Sequence, residues 1–352
     1  MLERIKKKLT DKKDLCVVYL GGSITEGAGA SAQDRRWASR IQAWLEENWP
    51  DTRWRSHNAG IGGTNSEFGV FRLQHDVLSQ NPDLVFVEFA VNDYKTDGDQ
   101  CRNAMEGIVR GIWTKLPDTE IVFVLTATVK MEEECYRIGQ VPESVIIHEQ
   151  VASYYHIPVI HVGEELLEQI RREGAAPETY LPDGVHPNDR GHAIYYETIK
   201  EYLLKGICGP ARRPLPPPMG DLRYGNVRML DAVKTAETDF CREAISLCGR
   251  HTGYISSNVP GQAGRVEFDG TGIGVYWMIG ADSGIMEYRI DGGEMRAKSS
   301  WDAYALRFDR CNHCMLASGL AKGRHILEFK VSGDKDEGSL GHFLRIAAFL
   351  VM

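Results

Sequence analysis

The sequence predicts an α/β domain, a parallel sheet covered by helices on both faces, followed by an all-β sandwich of the jelly-roll kind. Three observations carry this. Strand-like and helix-like segments alternate through about residue 205. A proline-dense run, Gly209-Pro-Ala-Arg-Arg-Pro-Leu-Pro-Pro-Pro-Met-Gly220, then breaks the rhythm and reads as a stiff, extended connector. Beyond it, short β-rich runs separated by turn residues take over. The expected boundaries are 1–207 for the first domain, 208–221 for the connector and 222–352 for the second domain.

The elements follow in order. Leu15–Leu20 is an apolar run ending at glycines, as a buried first strand should. Trp37, Ile41, Trp44 and Leu45 recur at helical spacing. Thr52–His57 reads as a second strand, Phe71–Leu78 as a short amphipathic helix and Asp83–Phe89 as a third strand. Cys101–Trp113 reads as helix, Ile121–Leu125 as strand, Ser144–Tyr155 as helix, Ile157–Ile160 as a short fifth strand and Asn188–Leu204 as a closing helix. In the second domain, strands are expected over 264–268, 273–278, 285–290, 304–308, 325–331 and 343–351, with turns such as Asp269-Gly270 and Asp291-Gly292-Gly293 between them.

Composition narrows the function. The 352 residues are 43% hydrophobic and 26% charged, which is ordinary for a folded globular chain. The formal net charge of -8 argues against nucleic acid and against an anionic membrane as partner. The N-terminus is a charged lead-in to the first strand, its apolar stretch too short for a secretory signal. The chain is therefore expected to be cytoplasmic, with its eight cysteines reduced. Cys311-Asn-His-Cys314, with Cys241 and Cys248 upstream, has loose zinc-like spacing in strand-like sequence. Buried thiols are the plainer reading, and neither a metal nor a cofactor is expected.

Open parallel sheets bind ligands at the carboxyl ends of their strands. Four segments should converge there: Gly21-Gly-Ser-Ile-Thr-Glu-Gly27, Asn58-Ala-Gly-Ile-Gly-Gly-Thr-Asn65, Ala90-Val-Asn-Asp93 and Asp183-Gly-Val-His-Pro187. The first could cradle phosphate, but no Lys-Ser/Thr follows, and Thr25 stands where a GxSxG elbow needs glycine. What remains is Ser23 on a tight turn, able to attack a carbonyl if a base is near. His186 would take its proton, and Asp183 would orient the imidazole. For the oxyanion, the N–H groups of Ser23 and Gly63 and the Asn92 amide are candidates. Gly63 also reads as a plain turn glycine and Asn92 as a strand-end cap. His57, His161 and His192 compete for the base role. None has a carboxylate as neatly placed as Asp183, and His192 suits helix packing.

Taken together, the four segments resemble the conserved blocks of the SGNH (GDSL) hydrolase superfamily. Gly22-Ser23-Ile24-Thr25 matches the first block, Asn58–Asn65 the second, Val91-Asn92-Asp93 the third and Asp183-Gly-Val-His186-Pro the fifth, in order over residues 15–205. The resemblance implies a flavodoxin-like three-layer α/β/α domain. It also implies Ser23 as nucleophile, completed by Asp183 and His186, with Gly63 and Asn92 joining the Ser23 N–H in an oxyanion hole. One departure stands out: the family's usual Gly-Asp-Ser reads Gly21-Gly22-Ser23 here.

An SGNH domain joined to a β-sandwich is similar to two-domain carbohydrate esterases of the mannan and xylan acetyl esterase type. The resemblance implies a serine esterase removing O-acetyl groups from hemicellulose oligosaccharides, with a carbohydrate-binding-module-like second domain. Trp301, in a polar stretch between strands, is a candidate sugar platform, whereas Trp277 lies in an apolar strand and reads as core. Two alternatives stay open: an SGNH lipase or thioesterase acting on acyl chains, and a non-catalytic carbohydrate-binding protein. The expected partner is an acetylated oligosaccharide, and a homo-oligomer is left open.

Overall fold

A computed structural model describes residues 3–11, 14–205, 214–244 and 253–352. The chain divides into two compact units, one ending at Gly225 and the other beginning at Asn226.

The first unit is built on five parallel strands: β1 (Leu15–Gly21), β2 (Trp54–Gly60), β3 (Leu84–Glu88), β4 (Glu120–Val124) and β5 (Val159–Ile160). Their order is β2-β1-β3-β4-β5. β1, β3 and β4 are buried along their whole length, as continuous apolar runs must be when both faces of a parallel sheet are covered. The helices are α1 (Glu3–Thr10), α2 (Ser23–Glu26), α3 (Trp37–Asn48), α4 (Ser66–Phe71), α5 (Leu73–Asp76), α6 (Gly98–Lys115), α7 (Val129–Glu134), α8 (Glu143–Tyr155), α9 (Val162–Glu173) and α10 (Asp189–Leu204). On one face α3, α9 and α10 pack over Leu15, Val17, Tyr19, Phe86 and Val122; α4, α6 and α8 pack together in the opposite layer. The result is the expected three-layer α/β/α sandwich.

Several helices lie outside the sequence reading, α1 and α9 among them. α1 falls in the charged lead-in, and its Ile5 and Leu9, four apart, reach the core while the lysines stay outside. α9 repeats that pattern with Leu166, Leu167 and Ile170. The second strand also runs to Gly60, past the expected end at His57.

The chain visits β2 on one side of β1 and β3 on the other. The strand order therefore reverses beside β1, and the crevice at the carboxyl ends of β1 and β3 is the topological switch point. Ser23 opens the helix after β1, and Asn92 lies just past β3.

The connector is described from Pro214 onward, and that part packs on the first unit. Glu106 accepts the N–H groups of Met219 (2.6 Å) and Gly220 (2.9 Å), Arg110 donates to the Pro216 carbonyl (2.8 Å), and the Tyr224 hydroxyl donates to Glu67 (2.6 Å). The compact unit accordingly runs past the boundary expected near residue 207 and takes in residues read as the connector.

Among the described residues, the second unit is one nine-stranded antiparallel sheet that curls on itself. It comprises β6 (Arg228–Asp231), β7 (Glu237–Thr238), β8 (Cys241–Glu243), β9 (Tyr254–Ser257), β10 (Ala263–Ile279), β11 (Ile285–Ile290), β12 (Arg296–Ser299), β13 (Arg310–Val331) and β14 (Leu344–Val351), with the short helix α11 (Ala232–Thr235). The two strands expected at 264–268 and 273–278 are one 17-residue strand. Its early half pairs with β7 and the late half of β13; its late half pairs with β14 and the early half of β13. Core-facing positions switch from even (Val266, Phe268) to odd (Ile273, Val275, Trp277, Ile279), and the pairing register shifts between Gly270 and Gly272. A bulge there turns the strand from one layer into the other while keeping its apolar face inward. Trp277 is core, as expected. The strand expected at 304–308 is instead a 3-10 turn (Ala303–Leu306). Its N-terminus is capped by Asp302, and Tyr304, Leu306 and Phe308 are exposed.

Candidate active site

α2 is a single helical turn launched by Gly22 directly off β1. Ser23 is its first residue, so its N–H has no acceptor within the helix. The Ser23 Oγ lies 2.7 Å from His186 Nε2. The His186 Nδ1 lies 2.6 Å from Asp183 Oδ2. The other Asp183 oxygen accepts the backbone N–H groups of His186 (2.7 Å) and Val185 (3.0 Å). Partial burial raises the Asp183 carboxyl, but these bonds from the His186 backbone, the His186 ring and Val185 outweigh it and hold the group below the usual range. Asp183 is thus a fixed anion. It selects the imidazole tautomer with hydrogen on Nδ1, leaving Nε2 free to accept the Ser23 proton.

The predicted oxyanion donors gather at the same turn. A Cβ built on Gly22 would lie 2.0 Å from the Asn92 Oδ1, so the Asn92 amide rests directly against the turn. A Cβ on Gly62 would lie 3.7 Å from the Ser23 Cβ, which puts the Gly62–Gly63 turn over the serine. Gly63 is exposed with φ +71, a left-handed conformation that favours glycine. The Gly22 that departs from the family triplet therefore has a physical reason: a side chain there would collide with Asn92.

Side chains the sequence reading did not single out hold this arrangement. The Glu26 carboxylate accepts the Gly62 N–H (2.9 Å), tying the second loop to the serine helix. Asn58 donates to the Thr25 carbonyl (2.7 Å). Arg72, 1% exposed, donates to the carbonyls of Gly21 (2.8 Å) and Ala59 (2.5 Å) and pairs with Asp76 (2.7 Å), clamping the ends of β1 and β2 together. Trp37, in an aromatic group with Tyr19 and Phe86, donates its indole N–H to the Ile24 carbonyl (3.2 Å). Glu88, fully buried at the end of β3, accepts the hydroxyls of Thr25 (2.9 Å) and Thr126 (2.7 Å). Burial pushes its pKa up, against these bonds and one from the Gly22 N–H. A glutamate closing the otherwise apolar run Leu84-Val-Phe-Val-Glu88 is the signal that could have exposed it.

The competing histidines are engaged elsewhere. His161 sits between Glu164 (3.0 Å) and Glu149 (3.2 Å), and the bond to Glu164 raises its pKa. His192 is buried; it accepts the Trp37 N–H (3.4 Å) and donates to the Ala28 carbonyl (3.2 Å). His57 lies on the edge strand β2. Trp301 belongs to the second unit, where a Cβ on Gly338 would lie 2.4 Å from its ring.

Two groups carry metal-ligand residue types. Cys311 and Cys314 lie on β13 and Cys241 on β8, with β10, β14 and β9 between them in the order of the sheet. Cys248 lies outside the described residues. Among the described residues, Asp93, Cys101 and His148 do gather, all buried. Their geometry is that of hydrogen bonds: His148 Nε2 meets Asp93 Oδ2 at 2.8 Å. Among the described residues the His148 Nδ1 has no partner, whereas a ligating histidine ordinarily donates through its second nitrogen. Burial also pushes the Cys101 thiol up, away from the thiolate a metal needs.

Comparison with known proteins agrees with this architecture. Residues 19–194, half of the chain, match the model of the GDSL-like lipase/acylhydrolase family, and the chain belongs to that family. It is thus a carboxylic ester hydrolase. No curated protein sequence matches it. Among solved structures it is similar to a two-domain esterase active on acetylated mannans, at 22% identity and a TM-score of 0.85, covering 99% of this chain and 94% of that one. The same figures hold for that esterase co-crystallised with mannopentaose. A variant of an acetyl xylan esterase from Geobacillus stearothermophilus matches at 18% identity and a TM-score of 0.47, covering 56% of this chain and 98% of that one. At these identities the likeness is one of fold.

Proposed function

We propose that this protein is a carbohydrate O-acetyl esterase that works through an acetyl-enzyme on Ser23. The observation that carries the reading is the continuous line from Ser23 Oγ through His186 to Asp183, with contacts of 2.7 and 2.6 Å. Ser23 Oγ attacks the acetyl carbonyl as His186 Nε2 takes its proton. Asp183 stabilises the imidazolium. The N–H groups of Ser23 and Gly63 and the Asn92 amide receive the oxyanion, each worth about 3–4 kcal/mol of barrier by analogy with measured holes. His186 then returns the proton to the departing sugar hydroxyl, and water, activated by the same histidine, releases acetate.

The sugar part of the proposal draws support from the fold shared, over both units, with an esterase active on acetylated mannans. Acetylated mannan or xylan oligosaccharides are the proposed substrates and the cytoplasm the proposed site of action. No helix among the described residues is long and apolar enough to cross a membrane. Trp301 is proposed to contact the sugar.

The test is product analysis by NMR on a panel of acetylated manno- and xylo-oligosaccharides, beside p-nitrophenyl acetate and a long-chain p-nitrophenyl ester. Acetate release from the oligosaccharides, with the short ester preferred, is the expected result. A strong preference for the long chain would overturn the deacetylase reading in favour of an acyl-chain esterase. Binding without turnover of any ester would point to a carbohydrate-binding protein.

A further inference from the structure

Asn92 and Gly63 come from different loops, and an oxyanion hole works only if its donors are held within about 0.5 Å of their productive positions. Something must tie the two loops together. Asp93 directly follows Asn92, and its side chain is buried. Its Oδ1 accepts both the backbone N–H (3.1 Å) and the hydroxyl (3.0 Å) of Ser66. Ser66 is the first residue of α4, three residues beyond Gly63. Its Oδ2 accepts from His148 Nε2 on α8 (2.8 Å) and lies 3.6 Å from the Cys101 thiol on α6. One carboxylate therefore bridges the Asn92 loop to the Gly63 turn and braces both against two helices. A second bond serves the same loop: the Ser144 hydroxyl on α8 donates to the Ala90 carbonyl (2.8 Å).

We propose that Asp93 is the positioning residue of the oxyanion hole, its Ser66-bridging carboxylate setting the Asn92 amide and the Gly63 N–H relative to each other. This rests on the reading of Ser23, Gly63 and Asn92 given above. A buried carboxylate is tolerated only when donors fill its lone pairs, and here Ser66, His148 and Cys101 supply them. An amide in its place would turn an N–H₂ toward one of those donor sets and spring the bridge. The effect reaches catalysis through Asn92 and Gly63, without contact between Asp93 and substrate.

The test is a double-mutant cycle on p-nitrophenyl acetate turnover, with kcat and KM measured separately and folding checked by circular dichroism. Asp93→Asn should lower kcat about 30-fold with KM within about threefold, and most of that loss should vanish in the Asn92→Ala background, because coupled residues are non-additive. Ser66→Ala removes one of the bonds and should lower kcat about 3–10-fold, again less in the Asn92→Ala background. A kcat within twofold of the parent for Asp93→Asn would overturn the proposal. So would a loss that multiplies in full on top of Asn92→Ala, the mark of general structural damage. Should Asp93→Asn fail to fold, the Ser66→Ala cycle decides by the same criterion. Turnover surviving Ser23→Ala would instead sink the underlying reading. Loss in Ser23→Ala and Asn92→Ala with Asp93→Asn unaffected would sink the Asp93 proposal alone.

Discussion

The first unit contains two Ser/His/Asp sets, and they are wired differently. In Ser23–His186–Asp183 the histidine is the middle member, touching the serine with one nitrogen and the aspartate with the other. In Ser66–Asp93–His148 the aspartate is the middle member, and the histidine's second nitrogen has no partner among the described residues. The first order is the one that a proton relay from a half-buried serine requires. The second gives Ser66 no base and leaves it a donor to a carboxylate, sealed from solvent. Residue types alone do not make a catalytic set; the order of contacts and the access to substrate do.

The sharpest way to break that comparison is to remove each serine's hydroxyl. Ser23→Ala should cut kcat on p-nitrophenyl acetate by about 10⁴-fold or more, while Ser66→Ala should stay within about tenfold of the parent. Steady-state kinetics on both variants decides it, and comparable losses would mean that the two sets have been misassigned. Next in size is Gly22→Asp, which restores the family's usual triplet. Because a side chain at that position meets the Asn92 amide, kcat should fall about 10–100-fold with the fold intact by circular dichroism. An unchanged or raised kcat would show that Asn92 does not need its present seat.

Much of this site was legible in the sequence because chemistry on a parallel sheet collects at strand ends. Ser23, Gly63 and Asn92 could be expected there by counting strands, and the Asp183–His186 pair by its place just before the closing helix. Their supports could not. Glu88 meets Thr25 and Thr126 across the sheet, Arg72 meets Gly21 from the junction of α4 and α5, 51 residues on, and Asp93 meets His148 55 residues on. Such pairings depend on how helices pack over the sheet, and no local spacing encodes them. The second unit was legible as β structure but not in its continuity. A strand that bends at Gly270–Gly272 looks like two strands, and the Tyr304-Ala-Leu-Arg-Phe308 segment, exposed but for Ala305, mimics strand alternation while forming a turn.

A third histidine extends the comparison from chemistry to stability. His192 is buried with both nitrogens engaged, and burial pushes its pKa down to about 4. It stays neutral in the folded chain while the unfolded chain takes up a proton near pH 6.5. The unfolded state therefore binds more protons between those values, and stability should rise from pH 4 to pH 6.5 by up to about 3 kcal/mol. Denaturant unfolding across that range should show a shallower slope for His192→Gln than for the parent. Identical slopes would mean that His192 does not titrate in this way.

The smallest expected effect belongs to Trp301. Trp301→Ala should impair acetylated oligosaccharides about 3–10-fold in kcat/KM and leave p-nitrophenyl acetate within twofold, since a sugar platform serves only the substrate that carries sugar. Equal effects on both substrates would return Trp301 to a packing role against Gly338.

The most direct test of the central claim is peptide mass spectrometry of the enzyme quenched in acid during turnover of p-nitrophenyl acetate. The account predicts an acetyl group on the peptide carrying Ser23, absent from Ser23→Ala. Turnover with the acetyl on another residue, or with none on Ser23 when deacetylation is slowed, would contradict it.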